Sequence, residues 1–153
     1  MQVPSTAMSG PENNEERRRG RAHLKAIIGA VLATGELDDP RWSELAVVFS
    51  ISAGGRNFGN SGYAYGKDGA WWAVSFPVLA LREPVLDFLA DVRDDSIPEA
   101  LTRVLLQYNR TTNRIRLITE FNDPDRWQIT PETAREMVDQ LQPRFPDSDD
   151  ARR

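Results

Sequence analysis

The chain has 153 residues, a formal net charge of −4, 40% apolar residues and no cysteine. One core suits that length, the apolar share is too high for a disordered chain, and the acidic balance disfavours attraction of the whole surface to a phosphate backbone. Without cysteine there is no disulfide framework, no thiolate zinc site and no cysteine nucleophile.

Residues 1–13 are polar, with Pro4, Gly10 and Pro11, and carry too little apolar surface to offset ordering. They are predicted to form a loose, disordered tail ahead of a single domain over 14–145, with the acidic run 146–153 as a frayed end. The first residues lack the charged start and apolar run of a secretion signal, which predicts a cytoplasmic protein. From Asn14, read as a helix cap, Leu24, Ile27, Ile28, Val31 and Leu32 make one apolar helical stripe, and Gly35 suits its left-handed stop. Leu45, Val47, Phe49 and Ile51 then alternate as in a half-buried strand.

Six of the ten glycines (Gly54, Gly55, Gly59, Gly62, Gly66 and Gly69) crowd the next segment. Bare amides can cradle phosphate, but Gly66-Lys67 is followed by Asp68 where magnesium needs a hydroxyl, and the run leads into a strand rather than a helix. It is therefore read as a mobile inter-strand loop. Asp68-Gly69, between Tyr63-Ala64-Tyr65 and the strand from Trp71 to Phe76, is a tight-hairpin signal.

Pro84 suits a first helical turn, followed by the stripe Val85, Phe88, Leu89 and Val92. Two more alternating strands, Thr102 to Tyr108 and Ile115 to Phe121, flank the link Asn109 to Asn113. Thr130 caps a last helix, with Pro131 in its first turn and Ala134, Met137, Val138 and Leu141 as its stripe. The order α-β-β-β-α-β-β-α, joined by hairpins, predicts an α+β domain: an antiparallel sheet of about five strands with helices packed on one face.

Candidate chemistry is sparse. His23 is the single histidine, flanked by Arg21 and Lys25 on a polar helix face. The carboxylates of Asn122 to Trp127 lack the glycine and distal glutamate of a calcium loop, so that segment is read as a turn with Trp127 folded over the sheet as a clasp. No catalytic, cofactor-binding or metal-ligating residue is assigned, and the chain is expected to act without catalysis. Charge, by contrast, is patterned. Between Arg82 and Glu99 the acids Glu83, Asp87, Asp91, Asp94, Asp95 and Glu99 outnumber Arg82 and Arg93, whereas residues 100–119 carry Arg103, Arg110, Arg114 and Arg116 with no acid. Those four arginines with Tyr108 give the alternative reading, a module for single-stranded nucleic acid. Trp71 and Trp72, being adjacent, must point to opposite faces of their strand, which exposes one of them unless helices or the terminal segments cover both faces. Tyr63 and Trp71 beside an acidic helix would form a protein-binding surface.

The amino-terminal helix, Pro40-Arg41-Trp42 leading into the strand Leu45 to Ile51, then Tyr63-Ala64-Tyr65, a middle helix and the hairpin Leu101 to Phe121 with acids after it resemble the YezG-like immunity proteins of bacterial polymorphic toxin systems. The resemblance covers roughly residues 20–142. It implies a protein that binds and neutralises a cognate toxin, often a nuclease. Asp87, Asp91, Asp94 and Asp95 would then occupy the basic groove that such a toxin uses for phosphate.

Overall fold

The computed structural model describes residues 11–93 and 96–145. The predicted tail through residue 10, the acids Asp94 and Asp95, and the acidic end from residue 146 lie outside the described residues. The elements are α1 (Pro11–Ala33), β1 (Glu44–Ser52), β2 (Asn57–Tyr65), β3 (Trp71–Val74), α2 (Val78–Val92), β4 (Thr102–Asn109), β5 (Arg114–Glu120) and α3 (Ala134–Leu141). The five strands form one antiparallel sheet in the order β3-β2-β1-β4-β5.

The most apolar strand takes the centre. Leu45, Val47, Phe49 and Ile51 of β1 are fully buried in a core completed by Ile27, Ile28 and Val31 of α1 and by Leu81, Val85 and Leu89 of α2. Each such side chain is worth about 1.5–3 kcal/mol of burial. The alternate residues Ala46 and Val48 are buried too, in a second cluster with Tyr63, Tyr65, Leu105 and Trp127 under Met137, Val138 and Leu141 of α3. The helices therefore do not share one face as expected: α1 and α2 cover one side and α3 the other. A strand that is apolar on both faces needs cover on both.

Only the ends of the glycine-rich run are connections, with Gly54 and Gly55 before β2 and Gly66 and Gly69 after it; its middle is a strand and not a loop. Residues 57–65 are β2, paired with β1 along its whole length from Glu44↔Tyr65 to Ser52↔Asn57. Phe58 and Ala64 pack toward the α1–α2 core while Tyr63 and Tyr65 pack toward α3, so tertiary burial outweighs the weak strand propensity of Gly and Asn. At Gly62 a Cβ would lie 2.0 Å from the Ala46 carbonyl oxygen and 2.8 Å from Val47 Cα, an approach only glycine permits.

Helix limits also differ from the periodicity. α1 starts at Pro11, ahead of the predicted cap at Asn14, and its Leu32 is 43% exposed. Gly35, at φ 79°, ends it in the left-handed conformation as predicted. α2 starts at Val78, so Pro84 lies inside it, and Leu81, ahead of that proline, is fully buried. Packing of that first turn outweighs the helix hydrogen bond the proline cannot donate.

Arg103 of β4 is buried, and its guanidinium holds the segment after β5: it donates to Ser50 Oγ at 3.2 Å, to Arg126 O at 3.3 Å and to Pro124 O. The sheet also reaches up to α3. Tyr63 Oη donates to Ala134 O at 2.8 Å, Tyr65 Oη to Val138 O at 2.7 Å and Gln107 Nε2 to Leu141 O at 2.9 Å. Val138 and Leu141 belong to the last turn of α3, whose carbonyls lack helical partners.

Burial pushes both phenols above the ordinary tyrosine range, Tyr65 the more strongly. The folded chain therefore keeps these protons at pH values where the unfolded chain has lost them, so stability is full below about pH 10 and falls as pH rises above it. Tyr65→Phe is expected to cost about 1–2 kcal/mol at neutral pH through the lost bond to α3 and to make the alkaline decline shallower. Denaturant midpoints of both proteins between neutral pH and about pH 11 check it; an equally steep decline in the variant would show that Tyr65 is not the titrating group.

Candidate functional site

α2 buries Leu81, Val85 and Leu89 at successive turns of one face, which sends the residues between them outward. Leu79, Glu83 and Asp87 follow one another at i, i+4 and i+8 and so line one exposed ridge. Leu79 is 88% exposed. The Glu83 and Asp87 carboxylates make no hydrogen bond or ion pair among the described residues.

Asp91, one turn further, is engaged within the protein. It meets His23 Nε2 at 3.0 Å and Arg19 Nε at 3.5 Å, both from α1, and the His23 ring stands edge-on to Phe88 at 5.8 Å. The basic face of α1 thus meets the acidic end of α2, and a partner would have to compete for Asp91. Of the four predicted acids, Asp87 is on the open ridge, Asp91 is at the helix junction, and Asp94 and Asp95 lie outside the described residues.

The two predicted aromatic anchors stand elsewhere. Tyr63 is 3% exposed and bonded to α3, so it presents no surface. Trp71 is 43% exposed and contacts Tyr63 edge-on at 5.6 Å, while Trp72 packs toward the α1–α2 core. The expected split of the two indoles is seen, but it puts Trp71 on the α3 side, on the opposite face of the sheet from α2. The hairpin arginines do not make one patch either. Arg103 is buried and bonded as above, Arg116 donates to Gln107 Oε1 at 2.7 and 2.9 Å, and Arg110 stacks on Trp42 with its guanidinium 4.1 Å from the ring.

Leu79 is the residue that the periodicity missed. It precedes Pro84, where the predicted helix begins, so the predicted stripe does not reach it; counted back from Glu83 it falls on the polar side, where a leucine is out of place. Among the described residues no group of three His, Asp or Glu side chains could hold a metal ion, and no helix is long and apolar enough to cross a membrane. In comparisons with known proteins, no family model, curated protein or solved structure matches this chain.

Proposed function

We propose that the chain is a non-catalytic binding protein that neutralises a cognate toxin by covering part of its surface, as the resemblance to YezG-like immunity proteins implies. The observation that carries this reading is the α2 ridge: an almost fully exposed Leu79 with Glu83 and Asp87 at the next two turns, neither carboxylate paired among the described residues. A solvated leucine contributes nothing to the fold, whereas in an interface it fills a pocket from which water is excluded. Carboxylates beside it steer the encounter with a basic surface, such as a nuclease's phosphate groove, and raise the association rate. The four-arginine nucleic-acid surface is set aside because Arg103 and Arg116 spend their donors inside the protein.

The test is co-expression with the carboxy-terminal domain of a large secreted protein found encoded beside the gene, scored by survival and by binding of the purified pair. Leu79→Asp is expected to weaken binding at least about tenfold, and Glu83→Lys with Asp87→Lys to slow association and remove its salt dependence, with thermal midpoints unchanged. Survival and binding equal to wild type in both variants would refute the ridge as the interface.

A further inference from the structure

A cleft of about 540 Å³ opens at the end of the sheet, where β1 begins, β2 ends and β4 turns into β5. It is lined by Arg41, Trp42 and Ser43 ahead of β1, Lys67 after β2, Trp72 of β3 and Arg110 after β4. Main-chain bonds fasten these walls together: Ser43 N donates to Tyr65 O at 2.8 Å, Arg110 N to Ser43 O at 2.9 Å and Gly66 N to Ala70 O at 2.9 Å. The shape is therefore formed before any ligand arrives, which lowers the ordering cost of binding.

Its charge runs against that of the chain. Three cations, Arg41, Lys67 and Arg110, line it. The carboxylate that answers them is Asp39, which pairs with Arg41 at 2.7 and 3.0 Å and is held at a pKa of about 2 by those bonds. Asp68, next to Lys67 in the chain, is not part of the lining. A surplus of positive charge remains in a protein of net charge −4.

The cations are also oriented. Arg110 stacks on the Trp42 ring and donates to Pro40 O at 2.7 Å, which fixes its plane and leaves further N–H donors along its edge. Trp42 is itself anchored, its Nε1 donating to Leu37 O at 3.1 Å. Arg41 lies over Trp72 at 5.7 Å, giving a flat cation-and-indole platform. The Lys67 ammonium makes no hydrogen bond or ion pair among the described residues.

An edge-on guanidinium and an unpaired ammonium are what a phosphate group seeks, and arginine and tryptophan planes are what a nucleobase stacks on. The cleft is larger than inorganic phosphate needs and falls within the range of small organic ligand sites. We propose that this cleft binds a nucleoside phosphate, free or as the terminal nucleotide of a single strand, with Lys67 and Arg110 on the phosphate and the Arg41–Trp72 platform against the base. The site shares no residue with the α2 ridge and does not rest on the toxin-binding reading.

The full chain is titrated with AMP, ATP, a 5′-phosphorylated oligothymidylate, the same oligomer without its phosphate, and a polyglutamate peptide, read by calorimetry and indole fluorescence. Saturable binding of AMP or ATP is expected, or of the phosphorylated oligomer alone, which would identify a strand end as the source. Lys67→Glu, which removes no hydrogen bond or ion pair among the described residues, and Arg110→Gln should each weaken it roughly tenfold or more. No saturable binding of any phosphorylated probe at millimolar concentration, affinity unaltered in Lys67→Glu, or binding of the peptide alone overturns the proposal.

Discussion

Gly62→Ala is expected to lower stability by about 3 kcal/mol, a fall in thermal midpoint of about 10 °C for a chain of this size. The added methyl would sit 2.0 Å from the Ala46 carbonyl oxygen and 2.8 Å from Val47 Cα. Both obstacles are main chain, so no rotamer change relieves the overlap. They also belong to β1, which β4 holds from the other side through a register running from Glu44↔Asn109 to Ile51↔Thr102. Moving β1 aside would therefore strain a second strand pair. Gly59, in the same strand and with nothing within 4 Å of its Cβ position, is the internal comparison: Gly59→Ala should stay within about 0.5 kcal/mol of wild type. Equal losses at the two sites, measured by denaturant titration, would mean that close approach at Gly62 is not what matters.

Trp127→Ala is expected to cost more, about 4 kcal/mol, through the cavity it leaves under α3. Trp127 is 8% exposed and belongs to the cluster of Ala46, Val48, Tyr63, Tyr65 and Leu105, with the Arg126 guanidinium 4.3 Å from its ring. Its backbone sits at φ 63°, a conformation that costs a residue with a side chain about 1 kcal/mol. Packing of the indole outweighs that strain. Once the indole is gone nothing compensates for it, so Trp127→Gly should be more stable than Trp127→Ala by about 0.5 kcal/mol, the strain relieved less the entropy of its freer unfolded chain. Calorimetry of the two variants decides: alanine equal to or better than glycine would place the strain elsewhere.

The parts of the fold that were legible in the sequence are those in which local pattern and burial agree. β1, β4 and β5 alternate, the stripe Ile27, Ile28 and Val31 has helical spacing, and Asp68-Gly69 turns at φ 60° and 78° as a tight hairpin requires. Trp127 as a clasp followed from a large apolar side chain in an acidic turn. Only the end of β2, Tyr63 to Tyr65, was legible, because what makes residues 57–62 a strand is the partner on each side, while by themselves they read as loop. Pro84 hid the first turn of α2, and with it Leu79. The placement of Tyr63 failed for a related reason: alternation puts Tyr63 and Tyr65 on one face but cannot say which face a distant helix will cover. The cleft was invisible because its lining comes from three stretches, 40–43, 66–72 and 110–111, that only the register of the sheet brings together.

The three bonds from Tyr63, Tyr65 and Gln107 to carbonyls of α3 have a bearing on autonomy. Eight residues are too few for a helix to persist alone in water, since nucleation consumes most of what so few hydrogen bonds return. Its partners come from β2 and β4, two strands that are not neighbours and are held at the right spacing only by β1 between them. α3 is thus a dependent element, helical only where three strands are already aligned beneath it.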